Sequence, residues 1–147
     1  MCLLKFLWRV SWKQKILLVL IFLFLGIIWI VILLISFCYY VKVLLQPNPK
    51  HNFKMTDKRF GYACTIGRLI AIMSKFTLWE SKCLVQGLTA RILLRLWHIP
   101  NIFYLGVGKD AAQQFTAHAW INCGNVTIIG GQDSFNKFKI ISQFEDN

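Results

Sequence analysis

The sequence predicts an α+β fold: a helix with a cysteine near its start, packed on a small antiparallel sheet and preceded by an apolar N-terminal helix. Three observations predict it. Residues 16–40 form an apolar run without a charge. Residues 59–76 and 81–97 then repeat apolar side chains at helical spacing. After Pro100 the period drops to two, and glycine turn signals recur. The expected division is an apolar helix in 1–45, a linker in 46–58 and the α+β domain in 59–147.

The apolar run would make a helix about 37 Å long, enough to cross a hydrocarbon core of about 30 Å with tilt. Tyr39 and Tyr40 stand at its exit, where aromatic belts form. A buried helix of a soluble domain is the competing reading. Pro47-Asn48-Pro49 rules out a continued helix in the linker, and His51 reads as a solvated loop residue. In 59–76, Ile66, Ile70 and Met73 recur on one face, and Cys64 reads as a small buried side chain. In 81–97 the face is Leu84, Leu88, Ile92 and Leu96, with Ser81 as N-cap and Arg91 and Arg95 near the C-terminal end. Strands are expected at 102–107, 115–122 and 126–129, with Gly124-Asn125 as a hairpin turn. The segment 135–144 reads as a short helix or a strand.

Composition narrows the function. The chain has 147 residues, 17 Lys+Arg against 6 Asp+Glu, and a net charge of +11. The positive charges flank the apolar run, which points to a membrane surface; no nucleic-acid motif accompanies them. The cysteines, Cys2, Cys38, Cys64, Cys83 and Cys123, are odd in number and widely spaced. That excludes a full disulfide framework and a zinc knuckle, and suggests a reducing compartment. No metal or cofactor is indicated.

Cys83 and His118 are the candidates for chemistry; the competing reading is a core cysteine and a satisfied sheet histidine. Cys83 falls in the first turn of its helix, where free N–H groups and the helix dipole favour negative charge on sulfur. Lys82 adds to this and Glu80 opposes it. The same N–H groups could receive an oxyanion. On the second strand, Thr116, His118, Trp120 and Asn122 share one face and Phe115, Ala117, Ala119 and Ile121 the other. A histidine beside a thiol serves as general base, then as general acid to a leaving amine. A third group should orient the imidazole. Between His51 and Ile140 the acids are Asp57, Glu80, Asp110 and Asp133. Asp133 comes after the strand that pairs with the histidine strand, so hairpin geometry favours it over Asp110. Asn122 lies about 13 Å along the strand from His118 and is a poor partner.

The blocks around these residues add a resemblance. They are Cys83-Leu84-Val85-Gln86-Gly87-Leu88, Tyr104-Leu105-Gly106-Val107, Phe115-Thr116-Ala117-His118-Ala119-Trp120 and Ile129-Gly130-Gly131. Their succession, from near Arg59 onward, resembles the transglutaminase-like leader peptidases of lasso peptide biosynthesis, the B2 proteins. The resemblance implies a transglutaminase-like, papain-like core. It implies Cys83 as nucleophile, His118 as base and Asp133 as acid. It implies removal of the leader from a ribosomally made precursor peptide. The partners would be a separate winged-helix leader-recognition protein and an asparagine synthetase-like cyclase. Relatives commonly carry glycine where His98 stands, so His98 is expected to be a structural residue at positive φ. The alternatives are another acyl transfer on the same fold and a non-catalytic membrane-associated maturation partner.

Leader removal belongs in the cytoplasm, where the precursor is made. A single span with the N-terminus inside would put the domain outside. The flanking charges favour that orientation only slightly: Lys5, Arg9, Lys13 and Lys15 precede the run, and Lys42, Lys50 and Lys54 come after it. The expected location is therefore cytoplasmic, with the helix spanning in the opposite sense, lying on the membrane or packing on protein.

Overall fold

The structure, a computed structural model, describes residues 11–36, 39, 42–43, 46, 54–79 and 81–146. Cys2, Cys38, His51 and Glu80 lie outside them. The first helix, α1, is Trp12–Leu34. Ser11 opens it with a capping box, in which the Gln14 side chain accepts from the Ser11 N–H at 3.3 Å. Helix α2 is Asp57–Met73, and Thr56 at its N-cap accepts from the Arg59 N–H.

Helix α3 is Cys83–Leu96, and its N-cap is Lys82. Ser81, the expected cap, is used elsewhere: its hydroxyl pairs with that of Thr77 at 2.8 Å, and its carbonyl accepts from Gln86 Nε2 at 2.6 Å. The helix ends at His98, whose φ is +53°. The Ile99 N–H then bonds back to the Leu94 carbonyl at 2.9 Å, a Schellman closure that demands a left-handed residue at position 98. His98 thus takes the backbone role expected of it.

The sheet contains β1 (Asn101–Lys109), β2 (Phe115–Cys123), β3 (Val126–Ile129) and β4 (Lys139–Asp146), in the order β3-β2-β1-β4. All three pairings are antiparallel. A single-turn helix, α4 (Ser134–Lys137), precedes β4, so the segment 135–144 holds both of its expected forms. The fold is α+β, as predicted: helices packed against a small antiparallel sheet.

Helix α3 lies at the centre, in contact with α1, α2 and the sheet. It buries Val85, Gly87, Leu88, Ala90, Leu93 and Leu94, which surround it on more than one side. The expected single stripe is therefore corrected: Leu84 and Ile92 are half-buried and Leu96 is exposed. A Cβ on Gly87 would lie 2.8 Å from the Phe103 ring and 3.8 Å from the Ala119 methyl. These contacts fix which face of the sheet meets α3: the face of Phe103 and Ala119.

Helix α1 adds Leu18, Ile21, Leu25 and Ile28 to the same core. Full burial of such a side chain stabilises by about 1.5–3 kcal/mol. Helix α1 and the residues of α2, α3 and the sheet thus share one core. Cys64 is exposed on α2, not buried; the neighbouring Ala63 takes the inward position.

One polar cluster also lies inside. Arg91 of α3 is fully buried; it donates to the Phe144 carbonyl at 2.7 Å and pairs with Asp146 at 3.4 Å. Arg95, one turn on, donates to the other side of the Asp146 carboxylate and, through Nη2, to Oδ1 at 2.9 Å. These arginines therefore clamp α3 to β4, which goes beyond favouring the helix terminus.

Candidate functional site

Cys83 is the first residue of α3, and no side chain caps the helix there. It belongs to the first turn, whose N–H groups have no partner within the helix. It is half-buried and lines a cavity of about 120 Å³, shared with Leu84, Leu105, Ala117, His118 and Ile141. Cys83 and His118 thus both border one mainly apolar cavity.

The imidazole of His118 is held from the backbone. Its Nε2 lies 2.8 Å from the Gly130 carbonyl oxygen. A carbonyl only accepts, so Nε2 carries the hydrogen, and the neutral ring keeps a lone pair at Nδ1. The ring stacks on Phe138, with centroids 4.6 Å apart. Trp120, two residues along β2, lies 6.0 Å from it. This cluster occupies the face of the sheet opposite α3, as alternation from Ala119 requires. β3 pairs with β2 only from Ile121 to Cys123, so among the described residues the side of β2 away from β1 carries no strand at His118. Gly130 fills that flank and draws the imidazole to the sheet's open edge.

Asp133 is not brought to His118. It stands at the N-cap position of α4 without a side-chain capping bond, its side chain is 72% exposed, and it pairs with Lys137 at 3.6 Å. Asp110 is committed to the β1–β2 turn, where it accepts from the Ala112 and Gln114 N–H groups at 2.9 Å each. Asn122 accepts from Thr127, away from the imidazole. The group that orients the ring is therefore Gly130, a backbone oxygen. A backbone oxygen has no side-chain signature in the sequence; the double glycine after β3 marks its place. Among the other described cysteines, burial pushes the Cys123 thiol up to about 12, which keeps it protonated at neutral pH. Cys64 lies outside this cavity's lining.

Gly130 is constrained twice. Its φ is +99°, and a Cβ would sit 2.4 Å from the Trp120 Cβ and 2.9 Å from the Ala119 carbonyl oxygen. Gly131 has φ +91° but open space around it. Gly130→Ala is expected to lose about 2–5 kcal/mol in urea unfolding, from strain plus overpacking. Gly131→Ala should lose about 1–3 kcal/mol, from strain alone. Equal losses would mean that the Trp120 contact is unimportant.

A family model described as the transglutaminase-like superfamily matches residues 44–143. The match takes in α2, α3 and nearly all of the sheet, and leaves α1 outside. No curated protein and no solved structure matches the chain.

Proposed function

The chain belongs to the transglutaminase-like superfamily, whose members are commonly cysteine-dependent enzymes, and we propose that it is a cysteine peptidase that removes the leader from a lasso-type precursor peptide. The observation that carries this reading is Cys83 at the head of α3, on the wall of a cavity that His118 also lines. The lasso-type substrate rests on the sequence blocks around Cys83, His118 and Gly130-Gly131.

In the proposed reaction the Cys83 thiol gives its proton to Nδ1 of His118, and the sulfur attacks the scissile carbonyl. First-turn N–H groups of α3 receive the oxyanion. The C–N bond breaks, and the amine of the downstream segment leaves with the proton from His118. Water, deprotonated by His118, then cleaves the thioester and releases the leader as a carboxylic acid. The first transfer requires the imidazole to leave the Gly130 carbonyl and reach round the edge of β2 toward the head of α3. A winged-helix protein would deliver the leader, and an asparagine synthetase-like cyclase would take the new amino terminus.

One observation favours a second reading, a non-catalytic partner that retains the fold: the imidazole leaves β2 on the face away from α3. Incubation with a lasso-type precursor and its winged-helix partner, then mass spectrometry, separates the readings. Free leader and core peptides support the peptidase. An intact precursor, with Cys83 inert to a thiol-directed acylating probe, supports the non-catalytic partner. A precursor amidated without cleavage would point to the other acyl transfers of the fold.

A further inference from the structure

Helix α1 has two apolar faces, and the domain covers only one. Leu18, Ile21, Leu25 and Ile28 are buried against the core. On the other side, Ile16, Leu20, Leu23, Ile27, Ile30 and Leu34 recur at steps of three and four and are all exposed. A monomeric soluble protein rarely leaves so long an apolar stripe uncovered.

We propose that α1 is an in-plane anchor that seats this domain on an anionic lipid surface, with its outer stripe in the lipid and its inner stripe in the protein core. The reading is independent of the peptidase chemistry. By length and composition alone, the helix is also able to cross a membrane. Its packing decides against that. The residues that would lie near the bilayer centre are docked on the domain, and α1 meets both α2 and α3. α3 in turn lies on the sheet, whose outer strands β3 and β4 end its order. A spanning α1 would drag charged α2 and open strand edges into hydrocarbon, where unpaired backbone groups are not tolerated. Lying in the plane, it needs only its outer stripe immersed, to about 5–10 Å.

Three further features fit a lipid headgroup layer. Trp12, 76% exposed, stands at the start of the helix, where an indole suits the interface. Lys13 comes next, and the whole chain carries a net charge of +11. The loop before α3 adds a second apolar point: Trp79 packs on Phe22 with centroids 5.2 Å apart, and the next residue back, Leu78, is 98% exposed. Lys75 is exposed in the same loop. An anionic surface would meet both the apolar stripe and the lysines around it. Such an anchor keeps the N-terminus and the Cys83 cavity on one side of the membrane, which removes the conflict between an apolar helix and a cytoplasmic precursor.

The test adds the full chain, tagged at both ends, to sealed vesicles of phosphatidylglycerol or of phosphatidylcholine. Flotation with the phosphatidylglycerol vesicles is expected, with both tags removed by protease added outside. Ile27→Glu/Ile30→Glu should lower the floated fraction by about tenfold, while Cys83→Ala should float like the unaltered chain. A protected N-terminal tag beside a cleaved C-terminal one would show a span and overturn the proposal. So would equal flotation of the double variant. A discrete dimer that the same double variant dissolves, with no vesicle binding, would assign the stripe to a second copy instead. The tag readout uses the unaltered chain and stands whether or not the variant folds.

Discussion

Alanine at position 83 is expected to abolish precursor cleavage, by at least about 10⁴-fold, while leaving the protein folded. The two halves of that expectation rest on different facts. Cys83 is half-buried at a helix start, and alanine is the strongest helix former, so the change in stability should stay within about 1 kcal/mol. The chemical loss is large because, among the described residues that line the cavity, Cys83 supplies the one thiol. Mass spectrometry of the precursor measures the first half and urea unfolding the second. Cleavage that persists in a folded Cys83→Ala protein would remove Cys83 from the mechanism.

The largest loss of stability is expected from Asp146→Ala. Asp146 is the counter-charge of Arg91, whose side chain has no solvent exposure. Burial pulls the Arg91 guanidinium down to about 10, Asp146 opposes that shift and Arg95 adds to it, so Arg91 stays charged at neutral pH. Removing the carboxylate leaves this charge inside the fold beside Arg95. Breaking one side of a buried pair costs about 3–5 kcal/mol. In contrast, Arg91→Met/Asp146→Leu removes both charges and should recover most of that loss. Urea unfolding of the single and double variants decides the matter. A double variant no more stable than Asp146→Ala would show that the arginine's hydrogen bond to the Phe144 carbonyl dominates, not charge pairing.

Much of the fold is legible in one dimension because it is written in local periods. The hairpin at Gly124, the alternation along β2 and the stop after α3 are of this kind. Other features escape for identifiable reasons. The inward face of α3 differs from the expected stripe because the helix is enclosed on several sides, which flattens a 3.6-residue signal. The cap moves from Ser81 to Lys82 because the Ser81 hydroxyl finds Thr77 instead. Residue type alone puts Cys64 inside, although the inward stripe of α2 passes through Ala63 and Ile66. At the site, the placement of Cys83 at a helix start is readable from spacing. The oxygen that orients His118 is not, because it belongs to the backbone of Gly130 and carries no side-chain signature. The Arg91–Asp146 pair joins residues too distant in sequence for any periodicity to link them.

The arginine clamp also has a consequence for the order in which the protein can be made. Asp146 lies 51 residues beyond Arg95. Helices α1, α2 and α3 are complete long before the ribosome reaches it, and their local contacts form early. Until then Arg91 and Arg95 lack the Asp146 carboxylate that they pair with in the folded protein. The helical layer can therefore gather during synthesis but cannot close around α3, and docking of the last strand becomes the step that commits the chain to its native state.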